Sequence, residues 1–96
     1  MIHVIVILSV RDREKLTEFE SKAIEIMARH EGRLVVAFTS SDDSGEKEIH
    51  HLEFPSIESL QNYRTDLDLL ALSSLREQGI SESQVLISDQ VLDYNT

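Results

Sequence analysis

The sequence predicts an α+β domain whose elements follow the order β-α-β-β-α-β. Three observations support this prediction. Short segments rich in β-branched residues alternate with longer segments whose apolar residues recur every three to four positions, and the single proline lies at one junction between the two kinds of segment. In addition, only a polar turn separates the second and third strand-like segments, so these two form a hairpin and the helices lie in the other connections.

The first strand and the first helix occupy the first third of the chain. Residues 2–10, IHVIVILSV, are apolar at odd and even positions, which is typical of a central strand covered on both faces. Asp12 can cap the following helix, and Gly32 can stop it. The apolar spacing predicts one amphipathic helix of about five turns. Its inner face is Leu16, Phe19, Ala23, Ile26 or Met27, and His30.

A hairpin follows the first helix. Its strands are residues 33–40, RLVVAFTS, and 48–54, EIHHLEF, and the polar turn 41–47 joins them. Pro55 ends the second of these strands because proline has no N–H to donate to a sheet. Ser56 then provides an N-cap for the next helix.

The second helical region is less uniform than the first. It begins at Ile57, and Ile57, Leu60 and Tyr63 or Arg64 form its inner face. Asp66 offers a second cap, so residues 67–78 form either a further helix or a kinked continuation that ends at Gly79. Residues 84–92, QVLISDQVL, are predicted as the last strand, and 93–96 as a tail.

This order of elements predicts one domain, residues 1–96, with an antiparallel sheet of strand order 4-1-3-2 and its helices on one face. The other face then stays open, although every strand carries apolar residues at both parities. An exposed apolar patch of several hundred Å² is unusual for a soluble monomer. We therefore expect a homodimer in which two sheets pack face to face.

Composition and charge exclude several classes of partner. The net charge of −9 comes with scattered basic residues, which argues against binding to nucleic acid or anionic lipid. Cysteine is absent, so thiolate metal sites and disulfides are excluded. The longest apolar run, residues 4–8, is too short to cross a bilayer, and no charged leader precedes a cleavable apolar segment. A cytoplasmic protein is the expectation.

The run 53-EFPSIESLQNYRTD-66, followed by 70-LALSSLREQGI-80 and a closing apolar strand, resembles the ferredoxin-like dimeric α/β barrel superfamily. This superfamily includes the antibiotic biosynthesis monooxygenase-like domains and small families of unknown function. The resemblance covers nearly the whole chain, but its residues are caps, helix stops and core positions. It therefore implies a fold and a homodimer rather than one reaction.

The resemblance leaves three classes of function open. The first is a homodimeric domain that binds a small apolar or aromatic molecule between sheet and helices. The second is a monooxygenase or isomerase of the same superfamily that needs no cofactor, and the third is a structural or interaction module without a ligand. Haem degradation does not fit, because such relatives are typically built around an Asn, Trp and His set and this chain has no tryptophan.

The two adjacent histidines of the third strand have different predicted positions. Neighbouring residues of a strand point to opposite faces, so His50 and His51 cannot hold one metal ion together. Pairing of strands 1 and 3 end to end places His51 with His3 and Glu53 on the open face, as a polar cluster or a proton-handling group. His50 points toward the helices, where the resemblance implies a ligand cavity. It is the candidate catalytic residue, with a satisfied core histidine as the alternative.

Tyr63 and Arg64 are the candidate ligand-binding residues. Tyr63 is either a core residue with its hydroxyl at the rim or a contact for the ligand. Arg64 is either a surface partner of Asp66 or Asp68, or a cation at the cavity mouth for an anionic ligand. No phosphate-binding loop, nucleophile elbow or zinc-ligand spacing occurs in the sequence, so neither a metal nor a cofactor is predicted.

Overall fold

A computed structural model describes residues 1–94 and contains four strands and four helices, with the second helical region divided into three. The strands are β1 Ile2–Val10, β2 Arg33–Asp42, β3 Gly45–Phe54 and β4 Ile80–Ser88. The helices are α1 Arg13–Arg29, α2 Ile57–Arg64, α3 Leu67–Leu70 and α4 Ser73–Gly79. Residues 95–96 of the predicted tail lie outside the described part.

The strands form one antiparallel sheet in the order β2-β3-β1-β4, which is the predicted order read from the other edge. The predicted register is confirmed, because His3 pairs with Glu53 and Ile5 pairs with His51. The helices cover one face, called here the covered face. On the central strands this face carries Val4, Val6, Leu8, His50, Leu52 and Phe54. The opposite face is called the open face.

Helix α1 agrees with its prediction at the start and differs at the end. The Asp12 side chain accepts a hydrogen bond from the backbone N–H of Lys15 at 3.1 Å. At the other end, Glu31 rather than Gly32 adopts the left-handed conformation, with φ of 61°. Gly32 is required for space, because a Cβ there would collide with the ring of Phe54.

The hairpin is longer and its turn tighter than the sequence suggested. Strands β2 and β3 extend to Asp42 and Gly45, which pair with each other. Of the predicted turn 41–47, only residues 43–44 remain outside the strands. Gly45 has φ of 117°, a conformation that favours glycine. The tip of the hairpin is exposed, so polar side chains there do not prevent the ladder from continuing.

A break in register changes the faces of β2. Leu34 pairs with Leu52, yet Val36 pairs with His51, so the ladder has an irregularity between Leu34 and Val36. In an unbroken strand, alternate residues such as Leu34, Val36 and Phe38 would share a face. Instead Leu34 lies on the covered face, whereas Val36 and Phe38 lie on the open face.

The second helical region confirms the predicted break at Asp66. The Asp66 side chain accepts a hydrogen bond from the N–H of Asp68 at 2.8 Å and caps α3. A second interruption at 71–72 separates α3 from α4. Within residues 1–94, none of the helices combines the length and apolar character that crossing a bilayer needs.

The boundaries predicted for β4 are wrong. The strand runs Ile80–Ser88 instead of 84–92, and Val91 and Leu92 lie beyond it with 76% and 68% of their surfaces exposed. Gly79 explains the early start: a Cβ on it would lie 2.6 Å from the backbone nitrogen of Leu16, so glycine allows α4 to end against α1. Because β4 is an edge strand, its polar residues at 81–84 remain in solvent.

The core has two clusters between the covered face and the helices. One cluster is Val4, Met27, Leu52, Phe54 and Leu60, and the other is Leu8, Leu16, Phe19, Ala23 and Ile80. Phe54 and Leu16 are completely buried. Between the clusters the covered face is not filled by side chains, and this gap is the candidate site.

Candidate functional site

A cavity of about 280 Å³ lies between the covered face and the helices. Most of its wall is apolar and comes from both core clusters. Five polar or charged side chains also line it: Glu20, His50, Tyr63, Arg64 and Arg76. A largely apolar wall with a few convergent polar groups is the usual composition of a small-molecule site.

His50 is the buried polar residue at this wall, with 5% of its surface exposed. Its Nε2 lies 3.0 Å from Oε2 of Glu48, and its Nδ1 lies 3.6 Å from Oε2 of Glu20. An ionised carboxylate can only accept, so Nε2 donates to Glu48. In the neutral imidazole Nδ1 is then an acceptor that faces Glu20. The imidazole of His50 therefore links two carboxylates, and one of them, Glu20, also lines the cavity.

Glu48 is held in place from its other side. Arg13 donates from Nη1 to Oε1 of Glu48 at 2.9 Å, and its Nη2 lies 2.9 Å from Oε2 of Glu46. This fixes the carboxylate that orients the imidazole of His50. The arrangement of a base oriented by an anchored carboxylate is common in proton-transfer sites.

Glu20 is a second acid–base group at the cavity. Burial raises the pKa of its carboxyl above the ordinary value, and the nearby charge of His50 opposes part of this rise. Its Oε2 lies 3.6 Å from Nδ1 of His50, and 18% of the side chain is exposed. A carboxyl with a raised pKa next to an imidazole is a candidate partner for proton exchange.

Tyr63 lines the cavity and is half-buried. Its ring packs on Phe54 at a centroid distance of 5.5 Å and meets His30 edge-on at 6.4 Å. Burial, followed by the charge of Glu20, raises the pKa of Tyr63 to about 12, while Arg76 opposes the rise. Its hydroxyl therefore stays protonated and can donate to a ligand.

Arg64 lines the same cavity from an exposed position. Among residues 1–94, Arg64 does not form the alternative ion pair with Asp66 or Asp68. Asp68 pairs with Arg29 at 2.6 Å, and Asp66 pairs with His30 at 2.8 Å. Both Tyr63 and Arg64 thus line the cavity, and Tyr63 is half-buried whereas Arg64 is exposed.

The structure adds three residues that the sequence analysis did not select: Glu20, Glu48 and Arg76. A signal for Glu20 was present, since it lies four residues after Leu16 and three before Ala23 and so borders the inner face of α1. Glu48 could also have been identified from the sequence, because it lies two residues before His50 on the same side of a strand. Arg76 had no such signal.

The predicted polar cluster of His3, His51 and Glu53 lies on the open face. Nδ1 of His3 is 3.1 Å from Nε2 of His51 and 3.6 Å from Oε2 of Glu53. Arg33 donates two hydrogen bonds to Oε1 of Glu53, at 2.7 and 2.9 Å. The sheet separates this cluster from the cavity, so the two histidines of β3 belong to different environments.

Comparison with solved structures confirms the ferredoxin-like fold. The RPA0582 protein of unknown function from Rhodopseudomonas palustris is similar with a TM-score of 0.81 at 14% identity, over 96% of this chain and 83% of that one. A NIPSNAP domain protein from Burkholderia xenovorans gives 0.76 at 10% identity, over 100% and 98% of the two chains. The cofactor-independent oxygenase SnoaB from Streptomyces nogalater gives 0.73 at 8% identity, over 99% and 97%.

Comparison at the level of sequence gives a family without an assigned activity. Residues 2–90 match the family described as Domain of unknown function (DUF1330). No protein with a curated description matches the chain. The resemblance to the antibiotic biosynthesis monooxygenase-like domains therefore holds for the fold alone.

Proposed function

Since the chain belongs to the DUF1330 family, we propose a function from the geometry of its cavity: it binds a small, mainly aromatic molecule that carries an ionisable hydroxyl or an acidic C–H. One observation carries this proposal. A buried imidazole, held between two carboxylates, lines a largely apolar cavity.

Size supports a ligand of one to three fused rings. An engineered apolar cavity of about 150 Å³ accommodates benzene, and the cavity here is close to twice that volume at about 280 Å³. The apolar wall supplies most of the binding free energy by removing ring surface from water. The imidazole of His50 and the hydroxyl of Tyr63 would orient the polar end of the ligand.

Titration with 1-naphthol tests ligand binding, with naphthalene as the compound that lacks the hydroxyl. We expect 1-naphthol to shift the NMR signals of cavity residues and to bind at least about ten-fold more tightly than naphthalene, because a buried polar group left unpaired costs roughly 1 to 3 kcal/mol. His50→Gln should remove most of this difference.

His51→Gln is the matched control for naphthol binding, and it is measured with EDTA present so that metal ions do not affect the comparison. It changes the neighbouring histidine, which points away from the cavity, so the preference for naphthol should persist. Shifts confined to the open face, or equal loss in both variants, would contradict the proposed site.

A second candidate function is proton abstraction followed by reaction with dioxygen. The Glu20–His50–Glu48 arrangement favours it, since a base at the cavity can remove a proton from an acidic C–H of an aromatic ketone. Anthrone is such a compound, and the balanced reaction with one dioxygen yields anthraquinone and one water. His50 would take the C–H proton, and Glu48 would stabilise the imidazolium that forms.

Oxygen uptake with anthrone, together with anthraquinone absorbance, measures this activity. We expect uptake and product in equal amounts, and a rate lowered about 100-fold or more in His50→Gln, within the usual range for general base catalysis. Arg64→Gln should mainly raise KM, because Arg64 lies at the cavity mouth. A rate in His50→Gln equal to that of the original protein would exclude His50 as the base, whether or not ligand binding holds.

Homodimer formation through the open face is part of the proposal. The open face carries Val36, Phe38 and Leu86, which are 38%, 58% and 51% exposed in a single chain. A two-fold partner would cover them with the same patch of a second copy. A standard interface of this kind buries on the order of 1,600 Å² in total.

A further inference from the structure

We propose that the open face carries a site for a divalent transition-metal ion, of which Zn²⁺ is the representative, built from His3, His51 and Glu53. From the sequence, no metal is predicted, and these three residues are expected to form a polar cluster or a proton-handling group. The pairing of β1 with β3 brings their side chains together. This inference does not depend on the cavity or on the proposed ligand.

The three ligand atoms have the mutual spacing that a small divalent ion requires. They all lie within 4.8 Å of one another, with Nδ1 of His3 at 3.1 Å from Nε2 of His51 and 3.6 Å from Oε2 of Glu53. Ligands about 2.0 to 2.1 Å from Zn²⁺ in a tetrahedron are separated by about 3.3 to 3.4 Å. Small rotations of the side chains would place all three at bonding distance.

The chemistry of the ligand set also fits. Two imidazoles and one carboxylate suit zinc and iron(II), and three protein ligands leave a coordination position open for water or another group. Without a metal, the two imidazole nitrogens at 3.1 Å can share one proton but cannot both be protonated without repulsion. A divalent cation would satisfy both lone pairs at once.

The surroundings hold the carboxylate ready for coordination. Arg33 donates both of its hydrogen bonds to Oε1 of Glu53, which leaves Oε2 facing His3. The same contact with Arg33 is the main cause that lowers the pKa of Glu53, so this carboxylate is ionised at neutral pH. Hydrogen bonds to a ligating carboxylate are a regular feature of metal sites.

A second group of possible ligands, Glu20, Glu48 and His50, meets the same distance criterion. It is the weaker candidate for a transition-metal ion, because only one of its three ligands is an imidazole. Replacing His50 or His51 distinguishes the two groups, because these histidines lie on opposite faces of the sheet and each belongs to only one group.

Isothermal titration of the untagged, metal-free protein with Zn²⁺ tests the site, with Co²⁺ absorption as a direct report of coordination. We expect one ion per chain and, in His51→Gln, a loss of at least about 100-fold in affinity, since loss of even an outer partner costs 10- to 100-fold. His3→Gln should have the same effect, which keeps the test valid if one variant folds poorly.

Two control variants complete the test. His30→Gln removes a histidine that pairs with Asp66 and lies outside the proposed site. His50→Gln removes the histidine of the second group of possible ligands, and Zn²⁺ affinity should persist in both variants. Affinity should also fall as the pH drops from 7.5 to 5.5, because imidazole must be deprotonated to coordinate. No binding at 100 µM Zn²⁺, or unchanged affinity in His51→Gln, overturns the proposal.

Discussion

Replacing Phe38 with glutamate is expected to convert the proposed homodimer into a monomer at micromolar concentration. Phe38 lies on the open face opposite Ile49, with 58% of its surface exposed in a single chain. A two-fold interface contains the substitution twice. Each copy would bury a carboxylate without a partner, a change that typically costs 3 to 5 kcal/mol. We therefore expect the dissociation constant to rise about 100-fold or more.

Sedimentation velocity measures this effect. The original protein should sediment with twice the mass of one chain, which is 11.0 kDa, and Phe38→Glu should sediment as a single chain. Leu67→Glu is the matched control, because Leu67 is 80% exposed on α3, away from the open face. Unchanged far-UV circular dichroism separates dissociation from unfolding. An original protein that sediments as one chain, or a variant that stays dimeric, contradicts the proposed interface.

Replacing Phe54 with alanine is expected to lower the free energy of unfolding by about 3 to 5 kcal/mol, the usual cost of removing a fully buried aromatic ring. Phe54 has no exposed surface, packs on Tyr63, and fills the space that Gly32 leaves beside α1. Its removal would leave an empty volume in the core cluster that it forms with Val4, Met27, Leu52 and Leu60. The neighbouring side chains can close this volume only partly, which places the cost in the upper part of the range for core substitutions.

Urea unfolding followed by circular dichroism measures the loss, with all samples at one protein concentration because the stability of the proposed dimer would depend on it. Leu67→Ala is the control, and its exposed side chain should change the free energy of unfolding by less than about 0.5 kcal/mol. A loss below about 1 kcal/mol in Phe54→Ala would show that the ring is not a central part of the core.

The predictions from sequence were most accurate where a short-range interaction decides the structure. Asp12, Ser56 and Asp66 cap helices as expected, because each side chain bonds a backbone N–H two or three residues further on. The boundaries of β4 were wrong because its start depends on the contact of Gly79 with Leu16, which belongs to another element. The irregularity in β2 was missed for a similar reason, since apolar residues at both parities do not reveal a change of face.

In the candidate site too, the predictions were accurate where short-range alternation decides the structure and incomplete where distant segments meet. Alternation along β3 was enough to assign His50 and His51 to opposite faces, and the 4-1-3-2 order was enough to join His51 with His3 and Glu53. Alternation could not show that Glu20 from α1 meets His50 from β3. That contact depends on how α1 lies across the sheet, so it cannot be read from residues that are close in sequence.

By itself, the sequence determined the order of the elements, the strand neighbours and the face on which each histidine lies, because these follow from backbone alternation, capping and the handedness of crossovers. Only the tertiary structure decided where β4 begins, which carboxylates flank His50, and how large a space remains between sheet and helices. These features arise from contacts between distant segments, and the packed volumes of many side chains determine them together.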